Sequence, residues 1–248
     1  MSKADSECVV LSPVWNAVAW VGRCLDSVAH QTYHPLRHFW VDDASTDGTG
    51  ELLAERVPAN DLVLNRQRRF AACNIWDVIT SRLSGNPVII VVDGDDWLAT
   101  DTAVEELMAA HQRHDFVWSD YASFFREETP LDSSHRTAAY LEGFIRRQMP
   151  WNPRHPLSFK REHFLQIPAN WFQHDGTWLP AAYDTALAVA LTDLLGADRC
   201  FFCDKVLYIY NQANQLNNHK AQPVIQKRMQ EAVFSRPACR PVGSVAGS

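Results

Sequence analysis

The chain has 248 residues, of which 46% are hydrophobic and nine are Trp, and this length suits one α/β domain or at most two small ones. Its formal net charge of −6 excludes a general attraction to nucleic acids or anionic membranes, although a local basic patch could still bind phosphate. No apolar run reaches the roughly 18 residues of a membrane span, and the N-terminus lacks the apolar core of a secretory signal.

Six cysteines are scattered along the chain, at positions 8, 24, 73, 200, 203 and 239. Cys200 and Cys203 form one C-x-x-C pair, whereas a structural zinc site would need a second pair. We therefore expect buried thiols rather than a metal or redox centre, in a protein of a reducing compartment such as the cytoplasm.

Apolar runs alternate with amphipathic segments along the first half of the chain. The pattern predicts strands over residues 8–12, 37–41, 61–65, 88–92 and 116–121, and helices over residues 17–31, 47–57, 70–83 and 100–114. A strict alternation of strand and helix is typical of a parallel sheet that is covered by helices on both faces. We therefore predict a fold of the α/β class.

The second half of the chain is less regular. Six prolines interrupt residues 122–180, which we interpret as loops and short pieces. Beyond them, a helix is predicted over residues 181–196, a strand over 204–211 and a final helix over 224–236, followed by a flexible tail.

Carboxylates follow two of the predicted strands, at the points where those strands end. Asp42 and Asp43 follow one strand, and Asp93, Asp95 and Asp96 follow the most apolar strand. Ligands bind beyond the carboxyl ends of parallel strands, so we expect both groups at one rim of the sheet. Because like charges this close raise one another's pKa, we also expect a positive partner among them.

Three explanations compete for the second group of carboxylates. The first is a solvated turn whose acids cap the next helix. The second is phosphoryl transfer through an Asp nucleophile, as in haloacid-dehalogenase-like phosphatases, but these usually carry their acids after the first strand, which here ends in Ser12 and Pro13. The third, which we favour, is a divalent cation held for a nucleoside diphosphate, since hard cations often take only one or two carboxylates and leave places for phosphate oxygens.

Four segments in this order, residues 12–33, 40–53, 91–98 and 183–191, resemble the signatures of the family 2 glycosyltransferases. The matching positions are Pro13, Trp15, Asn16, Ser27, Gln31, Thr32 and Tyr33 in the first segment, Asp42, Asp43, Ser45, Asp47, Gly48 and Thr49 in the second, and Asp93 and Asp95 of a D-x-D motif in the third. The resemblance covers residues 8–212, and the combination in order is specific where any single motif is weak.

The resemblance implies the GT-A fold, a Rossmann-like, mostly parallel sheet flanked by helices. We expect a single domain over residues 1–222, with a nucleotide-binding half over residues 8–121 and an irregular acceptor-side half over residues 122–222. Residues 223–248 are expected to form a C-terminal helix and the flexible tail.

The resemblance also implies an activity, the metal-dependent transfer of a sugar from a nucleoside-diphosphate sugar, with UDP expected first, to an acceptor hydroxyl. The cofactor would be Mn²⁺ or Mg²⁺. The residues expected to bind the nucleotide-sugar are Pro13, Trp15, Asn16, Asp43, Arg69, Asn74, Asp93 and Gly94. The expected metal ligands are Asp95, Asp93 and His219. Asp184 begins a predicted helix, whose dipole favours an ionised acid, and would be the general base of an inverting reaction.

Three positions depart from the family pattern, and one of them is Asn211, which stands where Arg is common. Cys73 stands where Arg is usual, so Arg66, Arg68 or Arg69 would have to supply the charge, unless these three form only a basic surface loop. Tyr183 stands where Glu often precedes the catalytic Asp. These departures affect the details of donor binding more than the class of reaction.

Histidines outside the motifs give weaker signals. The spacing of His155, His163 and His174 is too irregular for a metal site, and we interpret them as loop residues. His219 follows the last core strand, where a lone His in a polar loop is otherwise simply exposed. Imidazole also suits Mn²⁺ less well than carboxylates do.

The acceptor stays open at this point, since a glycan, a lipid carrier, a protein or a modified nucleic-acid base would all fit. Small freestanding glycosyltransferases of phages decorate hydroxymethylated DNA bases, and the basic runs at 66–69 and 146–147 could meet phosphates. Alternatively, the chain is a catalytically silent nucleotide-sugar-binding protein. A nucleotidyltransferase ranks last, because no Gly-rich basic loop follows the first strand. The oligomeric state is not legible from the sequence.

Overall fold

The computed structural model describes residues 7–127, 129–131, 155–216 and 218–243, without the side chains of Asn218 and His219. Its strands are β1 (Cys8–Val14), β2 (Leu36–Asp42), β3 (Leu62–Leu64), β4 (Val88–Val91), β5 (Trp97–Leu98), β6 (Phe116–Phe124), β7 (Leu157–Lys160), β8 (Gln173–His174), β9 (Thr177–Trp178) and β10 (Cys200–Asn211). Its α-helices are α1 (Val21–Ala29), α2 (Thr49–Arg56), α3 (Phe70–Asp77), α4 (Ala103–Ala110), α5 (Arg161–Phe164), α6 (Tyr183–Leu195), α7 (Asn218–Ala221) and α8 (Pro223–Phe234). A π-helical turn, Val78–Arg82, continues α3.

Eight strands form one sheet in the order β3-β2-β1-β4-β7-β6-β10-β5. β1 is parallel to β2 and β4, β2 is parallel to β3, and β6 is parallel to β10. β7 runs antiparallel between β4 and β6, and β5 pairs antiparallel with β10. The predicted α/β class with a mostly parallel sheet is confirmed.

β7 is the main element that the sequence did not predict. It lies inside the region interpreted as loops, and it pairs with β4 from Val88 opposite Lys160 to Val91 opposite Leu157. Four residues that follow two closely spaced prolines offer too little periodicity to be recognised as a strand. By pairing with β4 on one side and β6 on the other, β7 joins the parallel strands β1 to β4 and the parallel pair β6 and β10 into one sheet.

The core lies on both faces of the sheet, as the alternation along β1 shows. Val9 and Leu11 pack with α3 and α6 on one face, whereas Cys8 and Val10 pack with α1, α2 and α4 on the other. Every residue of β1 is buried. The covering helices therefore hold the carboxyl end of β1 in place, and the loops of the candidate site start from that end.

The C-terminal helix packs against the body of the protein. Met229 and Val233 of α8 are buried in the same core as α6. After the helix, Cys239 is buried and its backbone N–H donates a 2.6 Å hydrogen bond to Oδ2 of Asp193. The N–H of Val242 also donates to the carbonyl of Gln166 (3.0 Å). The segment that was expected to be a flexible tail is therefore anchored as far as Val242.

All six cysteines are free thiols, and five of them are buried, as the sequence led us to expect. Within the described ranges, we find no helix whose length and hydropathy would let it cross a lipid bilayer.

Candidate active site

A cleft of about 480 Å³ opens at the carboxyl ends of β1, β2 and β4. Its other walls come from α3 and the loop before it, the start of α6, the end of β10, and α8. Seven residues predicted for the site line it, namely Pro13, Trp15, Asp43, Asn74, Asp93, Asp95 and Asp184. The rim that the strand pattern predicted therefore brings together both carboxylate groups and the acid of α6.

Three residues predicted to bind the nucleotide-sugar lie outside this lining: Asn16, Arg69 and Gly94. Asn16 ties two loops together, because its Oδ1 accepts the N–H of Thr46 (2.8 Å) and its own N–H donates to Oγ of Ser45 (2.8 Å). The guanidinium of Arg69 lies 3.6 Å from Oδ2 of Asp77 on α3. Both side chains therefore support the loops around the cleft.

Gly94 lies directly behind the cleft. A Cβ at this position would be 2.6 Å from Cβ of Val14 and 3.0 Å from the ring of Trp40, and the first distance is shorter than real Cβ contacts. The N–H of Gly94 also donates to the carbonyl of Pro13 (3.0 Å). The glycine is therefore required because the D-x-D loop packs directly against the end of β1.

Asp43 is 4% exposed, and its carboxylate binds the backbone. Oδ1 accepts the N–H of Arg69 (2.8 Å) and Oδ2 accepts the N–H of Phe70 (2.9 Å), at the start of α3. The first N–H groups of a helix have no partner within the helix, so a carboxylate there caps it. Phe70 has φ of +65°, a conformation uncommon for residues other than Gly, Asn and Asp. Asp43 thus holds the arginine-rich loop in a defined position beside the cleft.

Arg68 is the member of the 66–69 run that lines the cleft. Its guanidinium carbon lies 3.5 Å from the centre of the Trp15 ring, and its Nε lies 3.8 Å from Oδ2 of Asp43. Cys73, which stands where the family pattern has Arg, is buried on α3. Of the three arginines considered from the sequence, Arg68 is therefore placed to bring positive charge to the site.

Asp93 is held by two side chains that the sequence did not assign to the site. The hydroxyl of Tyr183 donates to Oδ1, and Nε2 of His155 lies 3.4 Å from Oδ2. Burial raises the pKa of Asp93, and the charge of His155 opposes that rise. His155 also stacks on Tyr208 at a centroid distance of 5.6 Å and lines the cleft. His155 is a loop residue, as expected, since it lies in a bend before β7. Its contact with Asp93 is what the sequence did not predict.

Asp95 lines the cleft and is held from one side. Its Oδ2 accepts a 2.7 Å hydrogen bond from Nδ2 of Asn214, which lies just beyond β10. Burial, followed by the charge of Asp93, raises the pKa of Asp95 from 3.8 to about 6. Burial and the neighbouring carboxylate of Asp93 therefore both disfavour the ionised form of Asp95.

Asp96 serves the fold of the same loop. It is 1% exposed, and it accepts hydrogen bonds from the hydroxyl of Tyr208 (2.6 Å) and the N–H of Asn211 (2.7 Å). These bonds tie the D-x-D loop to β10. Asp93 and Asp95 are the two acids of the motif that remain for a ligand.

Asp184 lies in the first turn of α6 and lines the cleft. Ala182, just before the helix, has φ of +60°. Asp184 and Asp93 both line the cleft, and the charge of Asp184 is one of the causes that raise the pKa of Asp93.

Asp93 and Asp95 fit a divalent cation. A hard cation such as Mg²⁺ often takes only one or two carboxylates and keeps places for phosphate oxygens and water. Such an ion would offset the charge that raises the pKa of Asp95. Among the described residues, no group of three or more His, Cys, Asp and Glu side chains could hold a metal. The side chain of His219 lies outside the described residues, so its role as a ligand stays a prediction.

Sequence reasoning missed side chains that hold the acids of the D-x-D loop, chiefly His155 at Asp93, Tyr208 at Asp96 and Asn214 at Asp95. His155 reaches the site from the irregular region, where no spacing pattern singles it out. Tyr208 and Asn214 lie near the end of the last core strand, and their position at the rim is the one signal that could have found them.

Comparisons with known proteins agree with this geometry. The model of a family described as "Glycosyl transferase family 2" matches residues 9–176. "Glycosyltransferase GlyA" of Streptococcus pneumoniae serotype 4 (strain ATCC BAA-334 / TIGR4) is 32% identical over 127 residues, which are 50% of this chain and 18% of that protein. The chain therefore spans less than a fifth of the length of this relative.

Solved structures share the fold. S. aureus TarS 1-349 in complex with UDP-GlcNAc gives a TM-score of 0.60 at 16% identity, over 92% of this chain and 64% of that one. The mannosyltransferase PcManGT from Pyrobaculum calidifontis, in complex with GDP-Man and Mn²⁺, gives a TM-score of 0.57 at 21% identity, over 95% of this chain and 66% of that one. These likenesses confirm the predicted GT-A type of fold.

Proposed function

We propose that this chain, which belongs to glycosyl transferase family 2, transfers a sugar from a nucleoside-diphosphate sugar to a hydroxyl of an acceptor. The observation that carries the proposal is that Asp93, Asp95 and Asp184 line one cleft together with Trp15. Two carboxylates can bind a divalent cation, and a third can accept a proton. The aromatic ring of Trp15 offers a surface to a nucleobase or a sugar. These are the groups that glycosyl transfer from such a donor requires.

In the proposed complex, the nucleoside lies against Pro13 and Trp15, and the diphosphate lies toward Asp93 and Asp95. Arg68, already over the Trp15 ring, supplies positive charge on the donor side. We expect uridine as the base. Since TarS was solved with UDP-GlcNAc and PcManGT with GDP-Man, both uridine and guanosine donors belong in the test.

Asp95 and Asp93 are proposed to hold Mn²⁺ or Mg²⁺. Bound there, the ion would act as a Lewis acid that neutralises charge on the departing nucleoside diphosphate. Tyr183 and Asn214 donate hydrogen bonds to these two carboxylates, which orients them in the way that outer partners orient metal ligands in general.

Asp184 is proposed as the general base that takes the proton of the attacking hydroxyl. Among the described acids of the lining, Asp43 and Asp96 already accept hydrogen bonds at both carboxylate oxygens. With Asp93 and Asp95 assigned to the cation, Asp184 is the acid that remains for proton transfer. Direct attack of the hydroxyl on the anomeric carbon would invert its configuration.

Thermal unfolding in the presence of nucleotides tests the proposal, because a ligand that binds only the native state raises the melting temperature. We expect UDP, GDP or one of their sugar conjugates to raise it when Mn²⁺ or Mg²⁺ is present, and EDTA to abolish the rise. The absence of any rise at millimolar nucleotide would contradict the proposal.

The variant Asp184→Asn tests the base. We expect turnover to fall by roughly 10² to 10⁴-fold, the usual contribution of general base catalysis, while the donor-induced rise in melting temperature is retained. Asp198→Asn, an exposed acid beyond the far end of α6, is the matched control. Near wild-type turnover in Asp184→Asn would refute the assignment of the base.

The same measurements address a second candidate function, which the departures at Cys73 and Asn211 favour, since the family pattern has Arg at both positions. A catalytically silent nucleotide-sugar-binding protein would show the metal-dependent rise in melting temperature. It would show neither hydrolysis of the donor nor transfer to any acceptor.

A further inference from the structure

The acceptor end of the cleft is completed by α8, which lies beyond the residues 9–176 that the family model matches. Gln226 and Gln230 of α8 line the cleft, and because they are four residues apart they share one face of the helix. Met229 and Val233, on the adjoining face, are buried in the core that includes α6. This packing fixes the two glutamines at the cleft into which Asp184 projects.

The side-chain carboxamides at this end of the cleft, which we call the glutamine wall, do not contribute hydrogen bonds that hold the fold together. Gln226 and Gln230 are half-buried, and neither side chain forms a hydrogen bond to another described residue. Gln212, just beyond β10, lines the same cleft, and its backbone N–H rather than its side chain binds the carbonyl of Phe124 (2.7 Å). Half-buried amides normally find a hydrogen-bond partner. Because the fold does not use these three carboxamides, they are available to a ligand.

The wall around these amides carries little charge. Its other described members include Leu179, Pro180, Tyr210 and Leu216, with Asp184 as the acid. Within the described lining of the whole cleft, Arg68 is the sole Lys or Arg, and it lies on the donor side over Trp15. In the part of the wall that the structure describes, a phosphate on the acceptor would therefore meet amides and a carboxylate. Lys220, outside this lining, donates a hydrogen bond to the backbone carbonyl of Gln212.

We propose that this wall binds a neutral, hydroxyl-rich acceptor, namely a carbohydrate, through Gln212, Gln226 and Gln230. This inference rests on the proposed function and names the acceptor class for the same site. A carboxamide donates and accepts hydrogen bonds at once, as a sugar hydroxyl does. Phosphates instead favour Arg and Lys, and binding to DNA depends on such cations. The ring of Tyr210 and the side chain of Leu216 offer apolar surface to the C–H face of a sugar.

The test uses the full chain with UDP or GDP and Mn²⁺, and an array of neutral mono- to tetrasaccharide glycosides. Single-stranded DNA with hydroxymethylated pyrimidines and a polyprenyl phosphate are the charged probes. The variant carries Gln226→Ala and Gln230→Ala together. Gln222→Ala is the matched control, because Gln222 precedes α8 and its side chain forms no capping hydrogen bond.

We expect the wild-type protein to bind at least one neutral glycoside of the array. The double variant should bind it about tenfold more weakly or worse, since each neutral hydrogen bond is worth roughly threefold to tenfold in affinity. Gln222→Ala should stay within about twofold of the wild type.

Two results would overturn the inference: retention of a charged probe without any neutral glycoside, or glycoside binding that the double variant leaves unchanged. The absence of binding to every probe would also overturn it. The donor-induced rise in melting temperature, measured on each protein, separates the causes of failure. If the donor raises the melting temperature but no glycoside binds, the proposed donor site is supported and the inference about the acceptor is wrong. If the rise is absent from the wild-type protein, the proposed function itself fails.

Discussion

The acids at the end of β2 and the acids at the end of β4 share one rim, yet they are held in different ways. Asp43 gives its two oxygens to backbone N–H groups at the start of α3. Asp93 and Asp95 are held by the side chains of Tyr183 and Asn214. Asp43 is therefore fixed by the backbone at both carboxylate oxygens, whereas Asp93 and Asp95 are neighbouring, half-buried acids that line the cleft.

This difference separates an acid that builds the cleft from acids that serve a ligand. Burial raises the pKa of both Asp93 and Asp95, which destabilises the folded protein as long as no cation is bound. A cation that binds the folded protein reverses that effect. We therefore expect substitutions in the two groups to change different properties.

The largest effect is expected for Asp95→Asn, which keeps the shape of the side chain and removes its charge. Transfer should fall by about a thousandfold, in line with the loss of an electrostatic group at the reacting centre. The Mn²⁺-dependent rise in melting temperature with nucleotide should disappear. Asp101→Asn, at an exposed position beyond the same loop, is the control. An Asp95→Asn protein that still requires and binds Mn²⁺ would remove Asp95 from the proposed metal site.

Asp43→Ala should act on stability instead. It leaves the N–H groups of Arg69 and Phe70 at the start of α3 without the carboxylate that accepts their hydrogen bonds, so we expect the free energy of unfolding to fall by about 2 kcal/mol. Unfolding in urea measures this, with Asp198→Ala as a control at an exposed position. If Asp43→Ala is as stable as the wild type but no longer binds nucleotide, Asp43 acts on the ligand directly, and the contrast between the two groups is lost.

The pH dependence of stability offers a third way to sharpen the contrast. In the folded protein the pKa of Asp95 is about 6, above its ordinary 3.8, so the native state binds more protons than the unfolded state between these values. Stability is therefore lost as the pH rises through this range. With EDTA present, Asp95→Asn should be more stable than the wild type by about 2 kcal/mol at pH 7, and the gap should narrow toward pH 4.

Urea unfolding at several pH values tests this, and saturating Mn²⁺ should close the gap at pH 7. A difference between the two proteins that stays constant with pH would show that the environment of Asp95 does not penalise its charge.

The smallest effect is expected for Tyr183→Phe, which keeps the ring and removes the hydrogen bond to Asp93. Loss of an outer partner typically weakens metal binding by about tenfold or somewhat more, and isothermal titration with Mn²⁺ measures this. Tyr208→Phe is the comparison, because the Tyr208 hydroxyl binds Asp96 (2.6 Å) and not Asp93 or Asp95 through their carboxylates. We expect this variant to lower the free energy of unfolding while it leaves the affinity for Mn²⁺ nearly unchanged. Equal effects of the two variants on Mn²⁺ affinity would show that Tyr183 has no special role.

The donor half of the molecule could be predicted because its signals are local. The apolar run that becomes β4 leads straight into Asp93 and Asp95, and the order of strands and helices places this end at the rim beside Asp43. Each step depends on periodicity or on a short motif, which a sequence displays directly.

The acceptor half could not be predicted to the same depth, because its contacts join segments far apart in the chain. β7 is four residues long, His155 reaches Asp93 from the irregular region, and Gln226 and Gln230 reach the cleft because α8 packs on α6. No local pattern reports such packing. At Gly94 and Asn16 the structure shows motif residues that support the loops around the cleft, and their contact with a nucleotide-sugar stays a prediction.

Val14 physically connects the two groups of acids. Its carbonyl accepts the N–H of Asp43 (2.8 Å), and its side chain occupies the space that a Cβ at position 94 would need. Positions 14 and 94 therefore share one fixed volume. Among homologous sequences that keep this loop, we expect the sizes of the two residues to be inversely correlated, so that a larger residue at 94 is accompanied by a smaller one at 14.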